Sequence, residues 1–156
     1  DAAHRRGLRV ALDPGQELRT RYDARSLKGL LGLADLFFVN EEELRVACAL
    51  LDCFEADDLL LHVPTLVVTR GDRGASLYRD GHPVIHQPAF AAKVVDPTGA
   101  GDALRSGFYA GLVAGKDWET ALLWGQAAAA WIIGRPGAQE AAIQPRDLER
   151  LLAPTA

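Results

Sequence analysis

The chain has 156 residues, of which 49% are hydrophobic and 24% are charged, a balance typical of one soluble globular domain. Its net charge is -4 and it contains no basic stripe, which argues against nucleic acid as a partner. It also lacks an apolar run long enough to cross a bilayer, and its first residues lack the apolar segment of a signal peptide. We therefore expect a cytoplasmic protein with no membrane partner.

The predicted elements alternate between short apolar runs, which favour strands, and longer amphipathic runs, which favour helices. This alternation predicts right-handed crossovers and a mainly parallel sheet. The run at 8–13 is continuously apolar, so we expect a strand buried on both faces. In chain order the predicted elements are strand 8–13, helix 24–34, strand 35–40, helix 41–52, strand 65–70, a hairpin over 74–88, and helices over 101–115, 118–134 and 145–152.

Polar residues follow three of these strands, namely Asp13, Asn40 and the segment 69–71. In parallel sheets, ligands bind beyond the carboxyl ends of the strands, where the loops of neighbouring strands meet. We therefore expect these residues to share one edge of the sheet.

The stretch DPTGAGDALRSGF at 96–108 places small residues in a turn directly before a predicted helix. Gly99 and Gly101 allow a left-handed backbone and a close approach of a ligand to the main chain. The N–H groups at the start of a helix favour an anion such as phosphate, and a carboxylate at Asp102 is suited to taking a proton from an attacking hydroxyl. On these residues alone, a tight strand-to-helix turn with an acidic cap remains the alternative.

The segment 96–102, DPTGAGD, resembles the D-x-T-G-A-G-D signature of the ribokinase-like (PfkB) carbohydrate and nucleoside kinases. The resemblance implies a three-layer α/β/α fold with a mainly parallel central sheet, and an enzyme that phosphorylates a hydroxymethyl group with ATP. It implies that Asp102 is the catalytic base. The backbone amides of Gly99, Ala100, Gly101 and Asp102 would form the anion hole for the transferred phosphate.

Two earlier segments resemble further elements of that family in the expected order. Asn40 and Glu43 resemble its N-x-x-E element, which implies that Glu43 holds Mg²⁺ through water and that Asn40 lies near the phosphates. The segment TRGDRGA at 69–75 resembles its T-x-G-x-x-G-A loop, which implies that Thr69, Gly71 and Gly74 bind ATP. Read alone, the first segment is a solvated helix start and the second a turn at a strand end.

The segment 131–138 resembles the loop that flanks the adenine pocket in the family, which assigns Gly134 and Gly137 to the nucleotide. Main-chain oxygens of this loop and of the segment from Asp96 to Thr98 commonly hold a monovalent cation there. The resemblance therefore implies ATP and Mg²⁺, assigns Asp96 to a metal and Thr98 to the nucleotide, and allows K⁺.

The resemblance covers the whole chain but only the C-terminal half of the family fold. We therefore expect residues 1–156 to be the catalytic and nucleotide-binding part of a kinase domain, with the N-terminal substrate and lid half absent. A start at Asp1 and the lack of methionine fit a chain entered within a domain. Expressed alone, such a chain is expected to be inactive and to self-associate.

The implied partner is a small sugar or nucleoside, and the full-length protein is compatible with a homodimer. A nucleotide-binding regulatory module without catalysis is the alternative function. A dinucleotide-binding dehydrogenase is disfavoured because Leu104 stands where its fingerprint needs a third glycine.

Several other side chains have simpler interpretations. Cys48 and Cys53 lack metal-ligand spacing and are expected to be buried free thiols. His82 and His86 are expected to be exposed on the hairpin. For Arg70 and Arg73, a phosphate contact and a solvated loop both remain open. The tryptophans, Trp118, Trp124 and Trp131, fall about two helical turns apart and are expected to pack in a core or an interface.

Overall fold

The computed structural model describes residues 2–137 and 143–152, and the chain divides into two compact units. The first unit comprises Asp1–Arg70 and Ser76–His86, and the second comprises Gly71–Ala75 and Gln87–Ala156. The strands are β1 (Ala11–Leu12), β2 (Leu36–Asn40), β3 (Thr65–Thr69), β4 (Ala75–Arg79) and β5 (Ile85–Gln87). The α-helices are α1 (Leu18–Arg21), α2 (Ala24–Leu31), α3 (Glu41–Leu51), α4 (Ala100–Val113), α5 (Trp118–Ile133) and α6 (Pro145–Leu152).

Within the described ranges the sheet has five strands in the order β1-β2-β3-β4-β5, with β1, β2 and β3 parallel to one another. The expected α/β class with a mainly parallel sheet is therefore confirmed. Four consecutive residues are buried in β2 and four in β3, as expected for central strands covered on both faces. Leu27 and Leu31 of α2 and Ala47 of α3 pack into the same core, because their spacing places each on one face of its helix.

The prediction for the first strand was wrong. Residues 8–13 were expected to be a strand buried on both faces, whereas β1 has only two residues and both are accessible to solvent. Leu8 is 57% exposed. The physical reason is that β1 is an edge strand, which pairs only with β2 among the described residues.

Other departures from the predicted elements are smaller. Helix α2 ends at Leu31 instead of residue 34, where Gly32 follows. The short helix α1 and a 3₁₀ helix at Ala56–Leu61 were not predicted. The cysteines are free as expected, but both are only partly buried.

In the second unit, α4 and α5 pack closely through small residues. A Cβ on Gly107 would lie 2.6 Å from the carbonyl oxygen of Trp124, and one on Gly125 would lie 2.7 Å from that of Leu104. Glycine is therefore required for the two backbones to approach this closely. Trp124 is buried in this core, and the Trp118 ring lies 6.0 Å from that of Phe108, which confirms the packing expected of both residues. Among the described residues, no helix combines the length and the apolar character that a membrane span requires.

Candidate active site

The carboxyl ends of β2 and β3 place two predicted nucleotide-binding residues side by side. Asn40, the last residue of β2, is the register partner of Thr69, the last residue of β3. The parallel strand β1 ends at Leu12, so Asp13 also follows the carboxyl end of its strand, although it lies two residues short of Asn40 in the register. The expectation of one polar edge is confirmed in the first unit.

Asn40 and Glu43 form a reciprocal cap at the start of α3. The Asn40 Oδ1 atom accepts the backbone N–H groups of Glu42 and Glu43, each at 2.9 Å. In return, Glu43 Oε2 accepts the Asn40 N–H at 2.8 Å. This is the capping-box arrangement, which satisfies the first amides of a helix. The helix start expected here is therefore present, and its cap uses only one of the two carboxylate oxygens of Glu43.

A cleft of about 350 Å³ lies beside this cap. Its volume is within the range of small-molecule sites. Arg19 Nη2 donates to Glu42 Oε1 at the wall of the cleft, pairing one arginine with one acid. The lining residues are Gly15, Gln16, Leu18, Arg19, Asn40, Glu42, Glu43 and Val46.

The two glycines of the segment 69–75 have different structural roles. Gly71 has φ 59° and a Cβ built there would meet nothing within 4 Å. Gly74 has φ 88° and a Cβ would lie only 2.1 Å from the carbonyl oxygen of Gln87. Glycine is thus required at position 74 because there is no room for a Cβ, whereas at position 71 glycine is favoured only because the backbone is left-handed.

Arg70 points into a polar network of the first unit rather than into a solvated loop. Its guanidinium donates to Ser76 Oγ and, at 2.9 Å, to the Tyr78 hydroxyl, and its Nε lies 3.6 Å from Glu41 Oε1. Ser76 is fully buried, and its Oγ lies 2.7 Å from His86 Nδ1. Neither this network nor the role of His86 in it was predicted, because the partners are brought together by strand pairing.

The start of α4, where the sequence predicted an anion site, lies in the second unit. Gly99 is the N-cap with φ 80°, and it cannot cap the helix with a side chain. The Ala100 N–H donates to the Pro97 carbonyl at 3.2 Å, and the Ala103 N–H closes the first helical turn onto Gly99 at 2.8 Å. The amides of Gly101 and Asp102 lie between these two and have no carbonyl partner within the helix.

The Asp102 carboxylate stands in that same first turn and is 79% exposed. One turn later, Arg105 Nη2 donates to Asp102 Oδ1. Sequence reasoning missed this pair, although residues three apart on a helix are neighbours and the spacing alone could have indicated it.

Asp96 joins the two segments that were assigned to the cation and the adenine pocket. Its Oδ1 accepts the Thr98 N–H at 2.8 Å, and its Oδ2 accepts the Gly137 N–H at 3.3 Å. The hydrogen bonds from the Thr98 hydroxyl and amide, with a smaller one from Gly137, hold the pKa of Asp96 below its usual value, against a small opposing effect of burial. The carboxylate therefore stays ionised and ties residues 96–98 to residues 134–137. Ala138, the last residue of the assigned loop, lies outside the described residues.

The donor groups fit Mg²⁺ but not a cage built from protein alone. In the described ranges, no cluster of three or more His, Cys, Asp or Glu side chains could hold a metal. Mg²⁺ keeps several waters and is commonly bound by one or two carboxylates together with substrate phosphates. Glu43, with one carboxylate oxygen not used by the cap, suits that mode.

Comparison with known proteins places this geometry in context. Residues 2–145 match the model of a family described as pfkB family carbohydrate kinase. Over 130 residues the chain is 38% identical to a nucleoside kinase of Methanocaldococcus jannaschii, covering 83% of this chain and 42% of that protein. The crystal structure of a nucleoside kinase of that organism matches with a TM-score of 0.80, over 85% of this chain and 44% of the other.

Two other solved structures are similar at lower identity. A Burkholderia thailandensis nucleoside kinase in complex with inosine is 32% identical, with a TM-score of 0.84 over 94% of this chain and 49% of its own. An Arabidopsis thaliana ribokinase complexed with ribose and ATP is 29% identical, with a TM-score of 0.83 over 97% of this chain and 49% of the ribokinase chain. The chain thus spans a little less than half the length of these relatives.

Proposed function

This chain belongs to the pfkB family of carbohydrate kinases, and from that premise we propose that its protein moves the γ-phosphate of ATP to a hydroxymethyl group. The acceptor in this proposal is a nucleoside or a small sugar. Residues 1–156 are the catalytic and nucleotide-binding part, and the substrate and lid half lies outside them. The full-length protein is compatible with a homodimer.

The first turn of α4 is the observation that carries the proposal. The helix begins directly after a left-handed glycine, and its first turn holds an exposed carboxylate, Asp102, together with two amides that lack helical partners. In the transfer, the acceptor oxygen bonds to the γ-phosphorus and the bond to the β–γ bridging oxygen breaks. The hydroxyl proton passes to Asp102, and the Gly101 and Asp102 amides hold the charge on the transferred group. The left-handed Gly99 and the Ala100 backbone shape that anion hole.

The nucleotide is proposed to bind through residues at two kinds of position. Asn40 and Thr69 end neighbouring parallel strands, where phosphates commonly bind. Gly71 and Gly74 keep side chains out of the turn after β3. Thr98, Gly134 and Gly137 belong to the two segments that Asp96 ties together, which supports their assignment to one adenine-side loop.

Two cations complete the proposal. Mg²⁺ would neutralise phosphate charge when bound, and Glu43 would hold it through water with the oxygen not used by the cap. A monovalent cation such as K⁺ would take main-chain oxygens of the segments held by Asp96. The carboxylate of Asp96 itself is occupied by two amides, so its part in a cation site is to bring those segments together.

Among acceptors, we propose a nucleoside first. The support is that the M. jannaschii and B. thailandensis relatives are both nucleoside kinases and that one was solved with inosine. The ribokinase solved with ribose and ATP keeps small sugars as the second choice.

The test is an ADP-release assay on the whole gene product with ATP and Mg²⁺, across inosine, adenosine, ribose and fructose. Asp102→Asn should lower kcat at least about 100-fold with the KM for ATP little changed, as for other positioned bases. Asp80→Asn, in an exposed turn of the first unit, is the matched control and should behave as wild type. Full kcat in Asp102→Asn would contradict the assignment, and ATP binding without turnover on any acceptor would favour a regulatory module.

A further inference from the structure

Arg105 lies against the proposed reaction centre, one helical turn after Asp102. Its Nη2 donates to the Asp102 Oδ1 atom. Its Nη1 lies 3.9 Å from the point that a Cβ on Gly101 would occupy. The guanidinium therefore lies beside the exposed carboxylate and close to the Cα of Gly101.

The guanidinium lies towards an end of α4 that disfavours a cation, and the Asp102 carboxylate is the anion that pairs with it there. Helical side chains point back towards the N-terminus, so the guanidinium reaches the end of α4 where the helix dipole is positive and repels it. The Arg105 side chain is only 28% exposed, against 79% for Asp102. Burial lowers the pKa of Arg105 because the guanidinium loses water, an effect that the Tyr109 hydroxyl opposes.

The amides of α4 provide fewer donors than a transferring phosphoryl group needs. Its negative charge is spread over three oxygens in the transition state, whereas within α4 itself the amides without a helical partner are those of Gly101 and Asp102. A guanidinium carries five donors in a planar fork that matches phosphate oxygens. Arg105 lies close enough to this turn to supply further donors.

We propose that Arg105 is a second catalytic residue of this site, which binds the transferred phosphoryl group and exchanges its bond to Asp102 for bonds to phosphate oxygens. The exchange releases the carboxylate when the phosphate arrives, so that Asp102 can accept the hydroxyl proton. Bond making and breaking are those of the kinase reaction: the acceptor oxygen gains the phosphorus, ADP leaves, and the proton resides on Asp102. The inference rests on the proposed function.

The test uses the whole gene product and three variants, Arg105→Gln, Arg105→Lys and Arg105→Ala. Arg105→Gln should lower kcat about 100-fold, the scale for losing one preorganised donor, with the KM for the acceptor within about twofold. The kcat of Arg105→Lys should lie between that of Arg105→Gln and that of wild type, because lysine keeps the positive charge but lacks the planar set of donors of a guanidinium. Added guanidinium chloride should restore part of the kcat of Arg105→Ala and should not raise that of wild type. Arg146→Gln, at an exposed position of α6, is the control and should behave as wild type.

A binding measurement separates catalysis from folding. In calorimetry with ADP and Mg²⁺, aluminium fluoride, a mimic of the transferring group, should tighten binding to wild type but not to Arg105→Gln, while ADP alone binds both equally. Wild-type kcat in Arg105→Gln, with Asp102→Asn inactive, would overturn the inference and leave the proposed function standing. Loss of activity with weakened ADP binding and no guanidinium rescue would assign Arg105 a structural role and also overturn it. A wild type that turns over no acceptor would overturn both.

Discussion

The polar residues of the two units differ in how far their hydrogen bonds are satisfied inside the protein. In the first unit, Asn40 and Glu43 cap each other, and Arg70 shares its donors among Ser76, Tyr78 and Glu41. In the second unit, the Asp102 side chain is 79% exposed and its only described side-chain partner is Arg105. Side chains that are hydrogen-bonded inside the protein fix backbone segments, whereas an exposed carboxylate beside amides without helical partners is available to a substrate.

The largest effect on stability should come from a glycine whose position is fixed by packing. Gly74→Ala would place a Cβ 2.1 Å from the Gln87 carbonyl oxygen at φ 88°, and we expect a loss of about 3 kcal/mol or more from strain and overpacking. Gly71→Ala, at φ 59° in open space, is the control and should cost only about 1 kcal/mol. Urea unfolding followed by circular dichroism measures both variants. Equal losses of stability would show that the close contact at Gly74 does not contribute to the difference.

The next largest effect on stability should come from the hydrogen-bond network of Arg70. Arg70→Met leaves the buried Ser76 hydroxyl and the Tyr78 hydroxyl without the guanidinium, and lost partners of buried groups cost about 1–3 kcal/mol. All three tryptophans lie in the second unit, so their fluorescence does not report this change. Amide hydrogen exchange in β3 and β4 is the suitable measurement.

The matched control for Arg70 is an arginine on the surface of the same unit. Arg25→Met, on the exposed side of α2, should change stability by less than about 0.5 kcal/mol. Unchanged exchange in Arg70→Met would mean that the hydroxyls find water or new partners, and the contrast between the two units would lose its main support.

How far the sequence predicted this molecule depended on whether the interaction is local. The glycine turn and Asp102 are contiguous in the chain, so residue types alone indicated an anion site and a base. The capping of α3 was predictable for the same reason, since Asn40 and Glu43 are three residues apart. The Arg70 network was not, because Ser76 and His86 reach Arg70 only through strand pairing. Apolar character likewise indicated a strand at 8–13 but could not show that, in the part of the chain that the structure describes, it has only one neighbouring strand.

A smaller effect should separate the structural and chemical roles at the start of α3. Glu43→Gln keeps the capping box, which accepts either residue, so stability should change by less than about 0.5 kcal/mol. The charge is lost, so the KM for Mg²⁺-ATP should rise several-fold if Glu43 holds the ion through water. Asn40→Ala removes the cap and should cost about 1 kcal/mol. An unchanged KM for Mg²⁺-ATP in Glu43→Gln would mean that the carboxylate serves the cap alone.

The smallest effect concerns the pH dependence of the link made by Asp96. Because hydrogen bonds from Thr98 lower the pKa of this carboxyl in the folded protein, its contribution is fully present above the unfolded value near 3.9. It is lost as pH falls through the lower folded pKa. We therefore expect the Thr98 and Gly137 amide resonances to titrate together in NMR spectra, with a midpoint below about 3.9. In Asp96→Asn both titrations should vanish, while the amide of Thr120, which donates to the N-cap Asp117, should still titrate and so serve as an internal control. A midpoint at or above the ordinary value would show that the hydrogen bonds do not favour the ionised form, and independent midpoints would show that one carboxylate does not join the two segments.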